Sequence, residues 1–311
     1  MTRAVVFAYH DVGVRCLSVL LAHGIEVSLV LTHEDAPGET IFFGSVAAVC
    51  ERHGIPAITP DDPNTPGVID RIRSLAPDFF FSFYYRRMLA RDLLVIPRNG
   101  AFNMHGSLLP KYRGRVPVNW AVLHGERETG ASLHEMVDKP DAGRLVDQMP
   151  VPILPDDLAA DVFRKVTVAA EIVLDRSLPS LVAETAELRQ QNLAEGSYFG
   201  GRRPEDGRID WRRPAGDIHN LVRAVAPPYP GAFSDVRGTR ITVNRSVRAG
   251  RAPAEMPRPC LVAPPDGNTV VAVCSDGNML SLPELLLDGK PVSRAGFVQR
   301  FGAGPLPLDK D

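Results

Sequence analysis

Short apolar runs alternate with stretches of helical periodicity along the first half of the chain. "AVVFAY" (4–9) is unbroken and predicts a strand covered on both faces. Residues 13–23 place Val14, Leu17, Leu20 and Leu21 on one side and predict a helix. "EVSLVLTH" (26–33) predicts a second strand, "GSVAAVCERHG" (44–54) a helix closed by Gly54, and "PAITP" (56–60) a short third strand. "GVIDRIRSLA" (67–76) reads as a helix, "DFFFSF" (78–83) as a fourth strand, "RMLARDLLV" (87–95) as a short helix and "GAFNMH" (100–105) as a fifth strand. Strands alternating with helices imply a mostly parallel, Rossmann-like sheet, which binds ligands beyond the carboxyl ends of its strands.

The pattern then loosens. "PVNWAVLHGE" (117–126) is helical, "TGASLHEMV" (129–137) and "GRLVDQMPVPI" (143–153) are strands, and "DKPDAG" (138–143) turns between them. Leu158, Val162, Val166, Ala169 and Val173 recur at helical spacing after an Asp156-Asp157 cap. From about residue 196 Gly, Pro and charge dominate, and "GSYFGGRRPEDGRIDWRRPAGD" reads as a connecting segment. A short helix (218–225) and an extended "APPYPGAF" follow. The rest holds "FSDV", "ITVNRSV", "CLVAP", "TVVAVCS" and "MLSLPELLL", separated by Asp-Gly turns at 266–267, 276–277 and 288–289. The organisation expected is α/β, residues 1–195, followed by a linker and a small β-barrel, 196–311.

Composition narrows the function classes. Charged residues make up 23% of 311 and the formal net charge is −2, so no global field favours nucleic acid or an anionic membrane. No apolar run spans a bilayer and "MTRAVVFAY" lacks a signal-peptide pattern, so a cytoplasmic location is expected. Cys16, Cys50, Cys260 and Cys274 form no C-x-x-C pair and no zinc spacing; they read as free thiols, and no metal is expected.

The candidate chemistry lies in "AFNMHGSLLPKYRGRVP" (101–117). Asn103 and His105 stand two apart on a strand and share a face near its carboxyl end. An imidazole moves protons near neutral pH, more readily with a carboxylate such as Asp141 beside it, and an Asn amide donates to a developing oxyanion. The set suits attack on a carbonyl without a metal or a covalent enzyme nucleophile. On spacing alone it serves equally as a satisfied strand-end pair, a turn aspartate and a solvated loop carrying Lys111, Arg113 and Arg115.

"FNMHGSLLPKYRGRVPVNWAVLHGERETGASLHEMVDKPDAGRLVDQ" resembles the signature of the folate-dependent formyltransferases, whose core is Asn-x-His…Asp, here Asn103, His105 and Asp141. Within the family the likeness leans to the formyltransferase half of a bifunctional polymyxin-resistance protein. "VVFAYHD", "PGETIFFGSVA" (37–47), "PDFFFSFYYRRML" (77–89), "FGGRRPEDGRIDW" and "IHNLVRAVAPPYPGAFS" carry it, and it fades after about residue 245. The resemblance implies a formyltransferase fold and transfer of formyl from 10-formyltetrahydrofolate to the 4-amino group of a nucleotide-linked sugar, UDP-4-amino-4-deoxy-L-arabinose, in lipid A modification. It implies His105 as acid–base group, Asn103 at the oxyanion and Asp141 holding His105. Folate contacts would come from Arg87, Met88, Leu89, Arg115, Val137, Asp138, Lys139, Pro140 and Asp141.

The first strand–helix turn, "YHDVGVR", lacks G-x-G-x-x-G, so the sheet is not expected to bind a dinucleotide. Either His10 and Asp11 there face the sugar, or Asp11 caps the helix. No second Rossmann pattern follows, so the decarboxylase fused in the bifunctional relative is not expected in these residues. A methionyl-tRNA formyltransferase would share the Asn-x-His…Asp set but needs a basic surface, which the net charge disfavours despite "GGRRPEDGRIDWRR" (200–213). A catalytically idle folate-binding protein is opposed by the intact Asn103, His105 and Asp141.

Overall fold

The computed structural model describes residues 1–35 and 40–308; the start of the "PGETIFFGSVA" segment falls outside the described residues. The chain divides into two compact units, one of Met1–Pro117, Glu128–Pro152 and Phe163–Gly200, the other of Val118–Arg127, Ile153–Val162 and the residues from Gly201 on.

The first unit is built on β1 (Arg3–Ala8), β2 (Glu26–Leu31), β3 (Ala57–Ile58), β4 (Phe79–Phe83) and β5 (Ala101–His105). These pair in parallel, in the order β3-β2-β1-β4-β5. A two-residue strand, β6 (Arg113–Gly114), lies off the sheet, and β7 (Glu128–Glu135) and β8 (Leu145–Pro152) extend the sheet antiparallel beyond β5. Helices α1 (His10–Ala22), α2 (Val46–His53), α3 (Pro66–Ser74) and α4 (Arg91–Leu94) fall between the parallel strands; α5 (Pro117–Leu123) belongs, apart from Pro117, to the second unit, and α6 (Ala159–Val182) belongs to the first from Phe163 on. The apolar runs are the core: Val5, Phe7, Leu29, Leu31, Phe80, Leu89 and Leu93 pack in one cluster, and all five β4 residues are buried. Each fully buried Phe or Leu contributes about 1.5–3 kcal/mol, which fixes the strand that leads to β5.

The helix expected over 87–95 is confined to α4, and residues 84–90 stay irregular. Asn64 explains this, because its amide donates to the Met88 carbonyl (3.1 Å) and accepts from the Ala90 N–H (2.7 Å). The connecting segment contains a strand, β9 (Tyr198–Phe199), paired in parallel with β6.

The second unit carries α7 (Ala215–Val225) and an antiparallel sheet of β10 (Ala232–Val236), β11 (Thr239–Arg251), β12 (Cys260–Val262), β13 (Val270–Val273), β14 (Asn278–Leu287), β15 (Lys290–Pro291) and β16 (Leu306–Pro307). Its order is β10-β11-β14-β13-β12-β16, with β15 on β14: a curled half-barrel. A helix the sequence pattern did not show, α8 (Arg294–Phe301), is capped by Ser293 and buries little beyond Phe297. Burial raises all four cysteine thiols, Cys50 to about 11 and Cys274 to about 12. No helix among the described residues is long and apolar enough to cross a membrane.

Candidate active site

Strand β5 ends at His105, and the antiparallel register with β7 sets Asn103 opposite His134 and His105 opposite Ser132. Ser132 and His134 are also two apart, so their side chains share the face that Asn103 and His105 use. The Asn103 amide nitrogen lies 3.1 Å from His134 Nε2. His134 Nδ1 lies 2.7 Å from the Glu135 carbonyl, which can only accept, so Nδ1 carries a proton. In the neutral ring Nε2 is then an acceptor and takes one Asn103 N–H, leaving the second for another oxygen.

Asp141 reaches this cluster from the turn between β7 and β8, with φ at +54°. Its Oδ1 lies 3.6 Å from His105 Nδ1 and 3.5 Å from His134 Nε2, and Oδ2 accepts the Gly114 N–H at 2.8 Å. Burial opposes ionisation of this carboxyl, but His105, then His134 and the Gly114 N–H outweigh burial together and hold it well below the usual carboxylate range. The carboxylate is therefore charged at neutral pH. His105 Nε2 lies 2.8 Å from the Tyr112 carbonyl, so Nε2 is also a donor and Nδ1 is the nitrogen left to exchange a proton.

The loop after β5 is tied down by a buried serine. Ser132 Oγ donates to the Ser107 carbonyl (2.6 Å) and accepts from Leu109 N–H (3.1 Å) and the Gln148 amide (2.8 Å). Beside His105, a Cβ on Gly106 would collide with the Tyr84 hydroxyl, so a side chain there would need the Tyr84 ring to shift. Of the three loop cations Lys111 and Arg115 are exposed, whereas Arg113 is buried. The arrangement offers an amide donor, a proton-exchanging imidazole and a charged carboxylate at the carboxyl end of a sheet strand. This is equipment for addition to a carbonyl and collapse of the resulting oxyanion.

A family model described as "Formyl transferase" matches residues 16–178, more than half of the chain, and one described as "Formyl transferase, C-terminal domain" matches 202–302. The chain belongs to the formyl transferase family. Among solved structures, an N-formyltransferase from Helicobacter canadensis, described as a complex with folinic acid and dTDP-3-aminofucose, superposes with a TM-score of 0.69 at 20% identity, covering 91% of this chain and 99% of that one. WlaRD, described as a sugar 3N-formyl transferase in the presence of dTDP and 5-N-formyl-THF, gives 0.68 at 19% identity over 90% and 97%. A sugar N-formyltransferase from Shewanella gives 0.62 at 17% identity over 78% and 96%. At these identities the likeness shows the fold.

The structure of this formyl transferase brings most of the residues expected at the site into two neighbouring loops. Arg87 and Met88 are exposed, Met88 at 61%, while Leu89 is buried in the core that Met136 also packs against. Val137, Asp138 and Lys139 are exposed and Pro140 is half-buried. Arg91 Nη1 and Asp138 Oδ2 approach to 3.9 Å across the two loops. Arg115 is exposed and joins the chain's hydrogen bonding through its N–H to the Phe199 carbonyl. Asp11 accepts the Gly44 N–H (2.7 Å), while the His10 ring stacks on Phe43 with centroids 3.9 Å apart. His134 was not singled out from the sequence. Its signal was the two-residue spacing from Ser132, which becomes informative only once β7 is known to pair with β5. Among the described residues no group of three potential ligands could hold a metal ion.

Proposed function

We propose that this formyl transferase moves a formyl group from 10-formyltetrahydrofolate to the 4-amino group of a nucleotide-linked amino sugar, UDP-4-amino-4-deoxy-L-arabinose, in the cytoplasm, as a step in lipid A modification and polymyxin resistance. The observation that carries the reading is that Asp141 Oδ1 lies 3.6 Å from His105 Nδ1 and 3.5 Å from His134 Nε2, the nitrogen that the Asn103 amide contacts at 3.1 Å. Support for the substrate class comes from the similar structures, described with folinic acid and dTDP-3-aminofucose and with dTDP and 5-N-formyl-THF. The choice of arabinose rests on the sequence segments quoted above.

In this reading the sugar amine attacks the formyl carbon and the carbonyl oxygen becomes an oxyanion that Asn103 hydrogen-bonds. The ammonium proton passes to the His105–Asp141 pair, and the pair returns a proton to N10 as the C–N10 bond breaks. Arg87, Met88 and Leu89 line one side of the folate, Val137 to Asp141 the other, and Arg115 completes the set. Residues 1–195 carry the catalytic domain and 196–311 the linker and barrel. No nucleic acid or membrane partner is required.

The test incubates the protein with 10-formyltetrahydrofolate and, separately, UDP-4-amino-4-deoxy-L-arabinose, a dTDP-3-amino sugar and methionyl-tRNA, and follows product mass. Formylated UDP-arabinosamine is expected. Formylation of the dTDP sugar alone would move the substrate within the class. Formylation of methionyl-tRNA alone would overturn the class, and folate binding with no transfer to any acceptor would overturn catalysis.

A further inference from the structure

We infer that the β6–β9 ribbon is the positioning device of the acid–base pair, an inference that rests on the catalytic reading of His105 and Asp141. In an extended strand a residue's own N–H and C=O face one edge, and the C=O before it and the N–H after it face the other. Strand β6 uses both edges. Toward β9, Arg113 N–H donates to the Ser197 carbonyl (3.0 Å) and Arg115 N–H to the Phe199 carbonyl (2.9 Å). From the opposite edge the Tyr112 carbonyl accepts from His105 Nε2 and Gly114 N–H donates to Asp141 Oδ2, both at 2.8 Å. A single turn of backbone thus holds the ring from one end and the carboxylate from the other.

The chemical consequence is selection of a tautomer. A carbonyl accepts and cannot donate, so the Tyr112 oxygen keeps the proton on Nε2 and leaves Nδ1 facing Asp141. If β6 drifted, either nitrogen could carry the proton and the ring could rotate away from the carboxylate. Three features hold β6 against drift. Tyr112 N–H donates to Ser197 Oγ (2.9 Å), and the Tyr112 and Phe199 rings stack with centroids 5.4 Å apart and planes at 19°. Gly114, at φ +98°, is the third: a Cβ there would occupy the position of the Phe199 carbonyl oxygen. Tyr112 itself sits at φ +57°, which a residue with a side chain adopts only where its surroundings impose it. The supporting strand comes from residues 198–199, between the stretches matched by the two family models. Ser197 and Phe199 are accordingly positioning residues, acting through Tyr112 and Gly114.

The experiment uses the full chain with Ser197→Ala/Phe199→Ala together, Phe199→Tyr as the conservative variant, and His105→Ala as the control. Phe199 is only half-buried, so the double variant is expected to fold, checked by circular dichroism and melting. The kcat should fall about 10- to 100-fold with KM for both substrates within about threefold, by analogy with groups that orient a catalytic base. Phe199→Tyr should restore most of the rate. The 15N signals of His105 should report protonation at Nε2 in the parent and a mixture of tautomers in the double variant. Full kcat with an unchanged 15N pattern in the double variant, beside an inactive His105→Ala, would overturn the ribbon's role alone. Full activity of His105→Ala would instead overturn the acid–base reading on which it rests. Gly114→Ala is the stronger perturbation; its loss of activity counts only if the protein stays folded, and the double variant decides otherwise.

Discussion

Asp141→Asn isolates the charge at the centre of the cluster. The substitution is nearly isosteric: the amide oxygen can still accept the Gly114 N–H, and the amide nitrogen replaces the oxygen that faces His105 and His134. What is lost is a negative charge 3.6 Å from one imidazole and 3.5 Å from another. At an effective dielectric of about 20, unit charges at that separation attract by about 4–5 kcal/mol. Relaxation and water entry after the substitution reduce the net effect, and about half of it, roughly 2–2.5 kcal/mol, corresponds to roughly 30- to 70-fold in rate at 1.36 kcal/mol per decade. The kcat of Asp141→Asn should therefore fall roughly 30- to 70-fold, with KM values changed less than about threefold, read as initial rates of tetrahydrofolate release with amino sugar varied. A kcat within threefold of the parent would refute the electrostatic argument. The pH dependence supplies a second check. The carboxyl titrates well below its unfolded value of about 3.9. Its contribution to stability is thus fully present above that pH and is lost only as pH falls toward the much lower folded value. An acid limb of kcat between pH 5 and 7 cannot then come from Asp141, and should persist in the variant's residual activity.

His134→Ala removes the acceptor that orients Asn103, and kcat should fall about tenfold with little change in KM; an unchanged kcat would remove His134 from the site. Asn64→Ala releases the Met88 carbonyl and Ala90 N–H, so the KM for the formyl donor should rise severalfold while kcat holds, measured by donor titration at saturating acceptor. Burial, only partly offset by the Pro155 carbonyl, lowers the pKa of His219, which lies fully buried between Ser246 Oγ and that carbonyl. The unfolded chain binds the proton more readily, so stability should fall as pH drops below about 6.5. Denaturant melts from pH 7.5 to 5.5 should show that slope, and His219→Gln should flatten it.

The alternation of apolar runs and helical periods determined the first unit's parallel strands nearly residue for residue, because strands covered on both faces must be continuously apolar and helices covering them must be amphipathic. It also placed Asn103 and His105 on one face at a carboxyl end, since side chains on a strand repeat every two residues. The short strands and Asp-Gly turns of the second unit were legible for the same local reasons. What local pattern could not hold was pairing between distant segments. His134 joins Asn103 only through the β5–β7 register, and a histidine midway along a strand carries no mark of its partner. The irregular run at 84–90 depends on an asparagine side chain at 64, which outbids helix formation from outside the segment. The ribbon is the extreme case. Two strands of two residues each, separated by more than eighty in sequence, have no periodicity to detect, and "GSYFGG" reads as linker. Residue types and spacing determined which groups could do the chemistry. The backbone that holds His105 and Asp141 in register was decided by tertiary structure, because hydrogen bonds from main-chain N–H and C=O groups are open to every sequence and are assigned only when the chain has folded.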